Sequence, residues 1–217
     1  MAIFEGFSSE MFDFLLELHD NNTISAQSKN MIRYKKLITK PLSDLYETLL
    51  PTVISISNDI ETEPRRSISS PYTDRRFSPL VPLKEYMYLR FKVDKREKDI
   101  PGFYFDMGGK YFSYGIRIYK QTSAGMELLR EKWLENTEKY LPIAEKIEEN
   151  GFSLFGDAYA KDHAPHLEKS VLKNLINKRN FYIVKEMPIT NLIYSSELAE
   201  MLANEYLSLK AIFTILL

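Results

Sequence analysis

The stretches EYMYLRFKV (residues 85–93) and PGFYFDMGGKYFSYGIRIYK (residues 101–120) contain the strongest strand patterns in the 217-residue chain. In the first stretch, apolar and polar side chains alternate with a period of two, which is the pattern of a strand with one buried face. In the second, two aromatic runs flank Gly108-Gly109, a residue pair that tolerates the positive φ angles of a tight hairpin turn. Together the stretches predict a three-stranded antiparallel meander.

The register of the predicted hairpin assigns side chains to the two faces of the sheet. A two-residue loop pairs Met107 with Lys110 and Phe105 with Phe112, so the aromatic side chains of both arms share one face. We expect that face to be buried and the opposite, polar face to remain in contact with water. The polar face then carries Tyr86, Tyr88, Arg90, Lys92, Tyr104, Asp106, Tyr111, Arg117 and Tyr119.

Helical periodicity comes before and after the predicted strands. Apolar residues at Met11, Phe14, Leu15 and Leu18 have helical spacing, and similar patterns follow residue 120 and continue to the last helix, from residue 195. NFYIVKEMP (residues 180–188) predicts a fourth strand. Helices at both ends of the chain, with the strands clustered between them, indicate an α+β fold with an antiparallel sheet. We expect one domain over residues 1–217, with helices from both chain ends packed on the sheet.

Residues 58–84 contain four of the ten prolines and no periodic pattern. Such a segment predicts a long loop, and long loops in compact domains tend to be functional or mobile. From residue 65 to residue 98 there are ten lysines and arginines and only four acids, although the net charge of the chain is −1. We therefore interpret residues 58–84 as a proline-stiffened loop that carries arginines to the edge of the polar face.

Composition excludes several classes of function. The chain has no cysteine, so it has no disulfide, no thiolate nucleophile and no cysteine-based metal site. The first residues lack the basic segment of a signal peptide, and the apolar run AIFTILL is too short to span a bilayer, so we expect a cytoplasmic protein without membrane association. The histidines in KDHAPH (residues 161–166) match no strong zinc motif, so we expect neither a metal nor a cofactor.

The candidate site combines the basic segment with the phenols of the polar face. Forked guanidinium donors beside hydroxyl groups suit a phosphate or a carboxylate. In an enzyme, Asp74 or Tyr119 would move a proton, but the same residue types are common on solvated sheets, so enzymatic activity stays open. The candidate ligand-binding residues are Arg76, Lys84, Tyr86, Arg90 and Arg117.

Two alternatives use the same tyrosine-rich face. Tyrosines beside basic residues can stack single-stranded bases, although the negative net charge of the chain argues against nucleic acid. Exposed tyrosines are also typical of protein interfaces, which would make this surface a partner-binding site. The oligomeric state stays open.

Residues 72–91, YTDRRFSPLVPLKEYMYLRF, resemble part of a family signature. The family is the bacterial domain of unknown function 2461, with the signature R-x-x-R-D-x-R-F-x-x-x-[DN]-K-x-x-Y. Asp74, Arg76 and Phe77 match it. Lys84 and Tyr86 supply the later Lys and Tyr only with shifted spacing. The departures are Ser70 and Thr73 in place of the two earlier arginines, and Val81 and Pro82 in place of the Asp/Asn-Lys pair.

Other segments resemble the same family from end to end. They are LHDNN (residues 18–22), PGFYFDM (101–107), SYGIRIYKQTSAGM (113–126), YAKDH (159–163) and NFYIVKEMP (180–188). The resemblance implies a single fold over nearly the whole chain and no known activity. If the signature were catalytic in the family, the replaced arginines would argue against that activity here.

Overall fold

The computed structural model describes residues 3–94 and 96–217. The N-terminal helices are α1 (Ser9–Asp20), α2 (Gln27–Tyr34), α3 (Lys40–Ile56) and the single turn α4 (Pro64–Ser67), with a π-helical turn Lys35–Thr39 between α2 and α3. The strands are β1 (Met87–Lys92), β2 (Ile100–Met107), β3 (Tyr111–Tyr119), β4 (Ser153–Phe155) and β5 (Tyr182–Pro188). The later helices are α5 (Ser123–Glu135), α6 (Thr137–Glu149), α7 (Val171–Ile176), α8 (Glu197–Ser208) and α9 (Lys210–Ile215).

The strands form one antiparallel sheet in the order β1-β2-β3-β5-β4. The prediction of an α+β fold with a meander and a fourth strand is confirmed, and that fourth strand is β5, paired with β3. The sequence did not predict β4, because three residues are too few to show an alternating pattern.

The predicted register of the β2–β3 hairpin is wrong by two residues. Met107 pairs with Phe112 rather than with Lys110, and the Gly108 N–H donates to the Tyr111 carbonyl over 3.1 Å. Four residues therefore separate the last ladder pair, and neither Gly108 nor Gly109 has the positive φ that a two-residue type I′ turn requires. Because the error is an even number of residues, every side chain stays on its predicted face.

The aromatic face of the sheet is buried by helices from both halves of the chain. Tyr46 of α3 stacks on Phe91 with ring centroids 5.4 Å apart, and Phe213 of α9 stacks on Phe103 at 4.5 Å. Tyr206 of α8 donates its hydroxyl hydrogen to the Tyr104 carbonyl at 2.9 Å. One cluster of buried side chains joins α1, α3, the sheet, α8 and α9. On the opposite, polar face, Tyr104 is only 1% exposed, so the expectation that this face stays in contact with water is wrong at Tyr104.

Residues 58–84, called the Pro-rich segment below, lie along the outer edge of β1. Isolated bridges join Ile60 to Val93 and Ile68 to Leu89. Ser69 bonds Tyr88 twice, since its N–H donates to the Tyr88 carbonyl at 3.0 Å and its hydroxyl oxygen accepts from the Tyr88 N–H at 3.2 Å. The segment is mostly irregular, as its prolines predicted, but α4 lies within it.

Helix α7 starts at Val171. Ser170 is its N-cap and accepts from the Lys173 N–H, whereas Asp162 accepts from the Ala164 N–H at 2.9 Å in the preceding loop. Over residues 3–94 and 96–217, no helix is both long enough and apolar enough to cross a membrane.

Candidate functional site

The polar face of the sheet is assembled by the register of β1, β2 and β3. Arg90 pairs with Tyr104, which in turn pairs with Gly115. In the next row, Gly102 separates Lys92 from Arg117. Residues in paired rows share a face, so the cations of β1 and β3 lie on either side of β2.

Arg90 is held by aromatic rings rather than by a carboxylate. Its guanidinium carbon lies 3.8 Å from the ring centroid of Tyr88 and 5.3 Å from that of Tyr119. The Lys92 ammonium lies 5.9 Å from the same Tyr119 ring. Cation–π contacts fix the positions of these charges without neutralising them.

Arg117 has the same kind of environment on the far side of β2. Its guanidinium carbon lies 5.1 Å from the Tyr104 ring centroid and 5.2 Å from that of Tyr182 on β5. The polar face therefore holds two arginines, each between two tyrosine rings.

Asp106 lies on β2 in the field of both arginines. Within the described residues it forms no salt bridge, and its Oδ1 is buried without a hydrogen-bond partner. Burial raises the pKa of the Asp106 carboxyl, and the charges of Arg117 and Arg90 oppose this increase. The ionised carboxylate is therefore less favourable here than in water.

Tyr119 is a half-buried tyrosine of this face whose hydroxyl oxygen is buried. Its hydroxyl has no hydrogen-bond partner among the residues described, and burial raises its pKa well above the usual tyrosine value. Tyr119 therefore stays protonated at neutral pH, and it is suited to donating a hydrogen bond rather than to accepting a proton.

A cavity of about 530 Å³ opens at the edge of the polar face, where β1 and β3 end. We call it the edge cavity. Four of its lining cations have no salt-bridge partner within the described part of the chain: Arg90, Lys92, Arg96 and Lys120. Burial, and then the charge of Arg90, lowers the pKa of Lys92. The cavity thus concentrates positive charge.

The acids of the edge cavity bind a different cation. Arg66 Nη1 lies 2.6 Å from Glu61 Oε2 and 3.7 Å from Asp94 Oδ1. Arg96, also in the lining, donates to the Leu217 carbonyl at 2.8 Å. Both lining carboxylates lie at Arg66, on the Pro-rich-segment side, and neither forms a salt bridge with Arg90, Lys92 or Lys120.

Asp74 and Arg76 bond to each other in the exposed turn of the Pro-rich segment. Arg76 Nη2 donates to Asp74 Oδ2 at 2.6 Å, and Arg76 Nε donates to Asp74 Oδ1 at 3.0 Å. The Arg76 side chain is 81% exposed and lies over the Phe77 ring. These contacts account for both charged groups within the turn itself.

Lys84 and Tyr86 lie between that turn and the polar face. The Lys84 ammonium is 5.1 Å from the Tyr88 ring centroid, and the Tyr86 ring stacks on the Tyr88 ring at 6.4 Å. With Asp74 they line a second cavity of about 540 Å³. Tyr88 connects them to Arg90.

The structure thus divides the residues that the sequence singled out. Arg90 and Tyr119 line the edge cavity, Arg117 lies on the same face, and the remaining four lie in or beside the Pro-rich segment: Asp74, Arg76, Lys84 and Tyr86. Sequence reasoning missed Arg66, Arg96 and Lys120 as cavity residues. Arg66 and Arg96 belong to the basic stretch from residue 65 to residue 98. Both lie outside the strands, where no periodic pattern predicts the face on which a side chain lies.

In residues 3–94 and 96–217, no group of three or more His, Asp or Glu side chains could hold a metal ion. His163 packs against the Tyr159 ring with centroids 4.9 Å apart. Asp162 accepts from Lys173 at 3.0 Å and from Asn177 at 2.9 Å. The KDHAPH segment is thus occupied by contacts within the protein.

The sequence matches the model of a family described as Conserved hypothetical protein (DUF2461) over residues 10–214. The chain belongs to this family. The DUF2461 match includes the whole sheet and every residue that lines the edge cavity. No curated protein matches the chain. The description of DUF2461 names no activity, so the function is inferred from the chemistry of the site.

Proposed function

We propose that this DUF2461 protein binds a small anion, a phosphate or a carboxylate, in the edge cavity. The observation that carries the proposal is a single cavity in which Arg90, Lys92 and Lys120 form no salt bridge within the described residues, while Arg96 bonds only to a backbone carbonyl. Like charges at close range repel each other more strongly in a partly desolvated site than in water. A bound anion would relieve this repulsion and would accept charge-assisted hydrogen bonds from the three side chains.

The second cavity is less suited to an anion. Lys84 is its cation, and Asp74 brings a carboxylate that is already bonded to Arg76. A ligand there would meet little net positive charge. We therefore place the anion site at the edge cavity and leave Asp74 and Arg76 outside it.

Single-stranded nucleic acid fits the polar face less well than a small anion does. Base stacking needs free aromatic ring faces. Arg90 lies over the Tyr88 ring, and Arg117 packs against the Tyr104 and Tyr182 rings. Tyr88, Tyr104 and Tyr182 therefore already have cationic partners.

Thermal unfolding with added inorganic phosphate tests the anion site. A ligand that binds only the folded chain stabilises it by about 2.7 kcal/mol at a concentration one hundred times Kd. We expect the midpoint temperature to rise with phosphate in the wild type, and most of that response to be lost in Arg90→Gln. Arg76→Gln is the matched control, since it removes an arginine from the exposed turn, and it should respond as the wild type does.

Ionic strength is held constant with chloride in this experiment, because surface charges also respond to salt. An equal rise in chloride alone would contradict the proposal. An undiminished phosphate response in Arg90→Gln would also contradict it.

A further inference from the structure

Lys92 has an unusual position for a strand lysine. It is the last residue of β1, and it lines the edge cavity together with Arg90 on the same strand and Lys120 just after β3. Its ammonium lies 5.9 Å from the Tyr119 ring centroid. Among the residues that the structure describes, no carboxylate forms a salt bridge with it.

This environment lowers the pKa of Lys92 and so raises the fraction of neutral amine relative to an exposed lysine. Burial is the largest cause of the lowered pKa of Lys92, and the charges of Arg90, Lys120 and Arg66 act in the same direction, while Glu61 opposes them. A lysine that is desolvated or placed beside another cation has more of the free amine that attacks carbonyl groups. Arg90 and Lys120 would meanwhile hold the anionic part of a ligand within reach of this amine.

We propose that Lys92 is a nucleophile that forms an imine with the carbonyl group of an anionic ligand in the edge cavity. The ligand class is then an oxo acid or a phosphorylated aldehyde or ketone. The inference rests on the proposed anion site and adds a reaction to it.

The step balances with water as its only by-product. The lone pair of Lys92 Nζ forms a bond to the carbonyl carbon, and the carbon–oxygen π bond breaks as the oxygen takes a proton. The nitrogen then gives up its hydrogens as the carbon–oxygen single bond breaks. The oxygen leaves as water, and a carbon–nitrogen double bond remains.

Reductive trapping with pyridoxal 5′-phosphate tests this role, because the probe carries an aldehyde and a phosphate. After sodium borohydride reduces the imine, peptide mass spectrometry locates the adduct. We expect a single adduct on Lys92 at low probe concentration, and we expect inorganic phosphate to compete with it. Pyridoxal, which has the aldehyde but no phosphate, should label Lys92 much more slowly.

The phosphate response of the wild type separates this inference from the anion site, and Lys92→Arg tests the inference itself. Arginine keeps the positive charge and cannot form the imine, so the adduct should be lost in this variant. Loss of phosphate binding in the wild type would overturn the anion site itself. Intact phosphate binding with labelling spread over the exposed lysines, or centred on Lys120, would overturn only the role of Lys92.

The pH profile of labelling gives a second readout that does not depend on a variant. The wild-type rate at Lys92 should rise and level off at lower pH than the rate at exposed lysines, since its pKa is lowered. A rate that follows the exposed lysines over the whole pH range would contradict the nucleophilic role.

Discussion

Asp106 is a half-buried acid on β2 whose charge is poorly compensated, since it bonds to neither neighbouring arginine within the described chain. Burial raises its pKa above the usual aspartate value of 3.8. A folded chain with such an acid binds more protons than the unfolded chain between the two pKa values. Its stability therefore falls as pH rises through that interval, and the whole loss is present above it.

We expect Asp106→Asn to raise the urea midpoint at pH 7, because it removes the charge and keeps the shape of the side chain. The gain should disappear at pH values below 3.8, where the wild-type carboxyl is protonated in both states. Asp13→Asn, on the exposed side of α1, is the control and should not change the midpoint at either pH. A lower midpoint for Asp106→Asn at pH 7 would show that the arginines stabilise the ionised form.

At the scale of single residues, the sequence predicted the face of the sheet on which a side chain lies better than it predicted the residue which that side chain contacts. Alternation along β1 placed Arg90 and Lys92 on the polar face, and both line the edge cavity. The pairing of Asp74 with Arg76, two positions apart in a turn, could not be predicted from periodicity. Local backbone geometry decides that contact, and irregular segments have no repeating pattern from which to read it.

At the scale of elements, Gly115 sets the spacing of the central strands. It lies on β3 between Tyr104 of β2 and Val184 of β5, with a φ of 147°. A Cβ atom there would lie 2.0 Å from the Ile183 carbonyl oxygen, so no side chain fits without moving β5.

Gly115→Ala should therefore destabilise the chain by at least about 1–3 kcal/mol, the usual cost of a strained backbone. Urea unfolding followed by circular dichroism would measure the loss. Gly108→Ala is the matched control from the hairpin loop, because the space around its Cβ position is open to 4 Å and its φ is not positive. Equal stability of the two variants would contradict the account of β3.

The sequence predicted which elements form this sheet more reliably than how they pair. Strands with strong alternation, β1 to β3 and β5, were predicted, and the parity of their faces is correct. The hairpin register was missed because a Gly-Gly pair fits turns of different length. Strand β4 forms only three ladder pairs with β5. It is defined by this tertiary pairing and not by a local sequence pattern.

At the scale of the whole molecule, Glu205 joins parts of the chain that are distant in sequence. Its Oε1 accepts from Lys185 Nζ of β5 at 2.7 Å and from the Tyr114 hydroxyl of β3 at 3.2 Å. Lys185 Nζ also donates to the Asn150 carbonyl after α6 at 3.2 Å. The Glu205 carboxylate thereby bonds α8 to the sheet, and Lys185 extends this connection to the end of α6.

We expect Glu205→Gln to lower the free energy of unfolding by about 1–3 kcal/mol, since hydrogen bonds to charged groups contribute this much when they are shielded from water. Glu200→Gln, on the exposed side of the same helix, should stay within about 0.5 kcal/mol of the wild type. Equilibrium denaturation of both variants would measure their free energies of unfolding. A Glu205→Gln variant as stable as Glu200→Gln would mean that the network contributes no stability.

The position of the Pro-rich segment beside β1 has a consequence for the behaviour of the protein in concentrated solution. An open sheet edge offers unpaired N–H and C=O groups to strands of other molecules and so promotes aggregation. Here Ile60, Ile68 and Ser69 occupy one margin, and the other margin is β4, only three residues long. Neither margin offers a long template for intermolecular strand addition, so the fold has its own protection against amyloid-like growth.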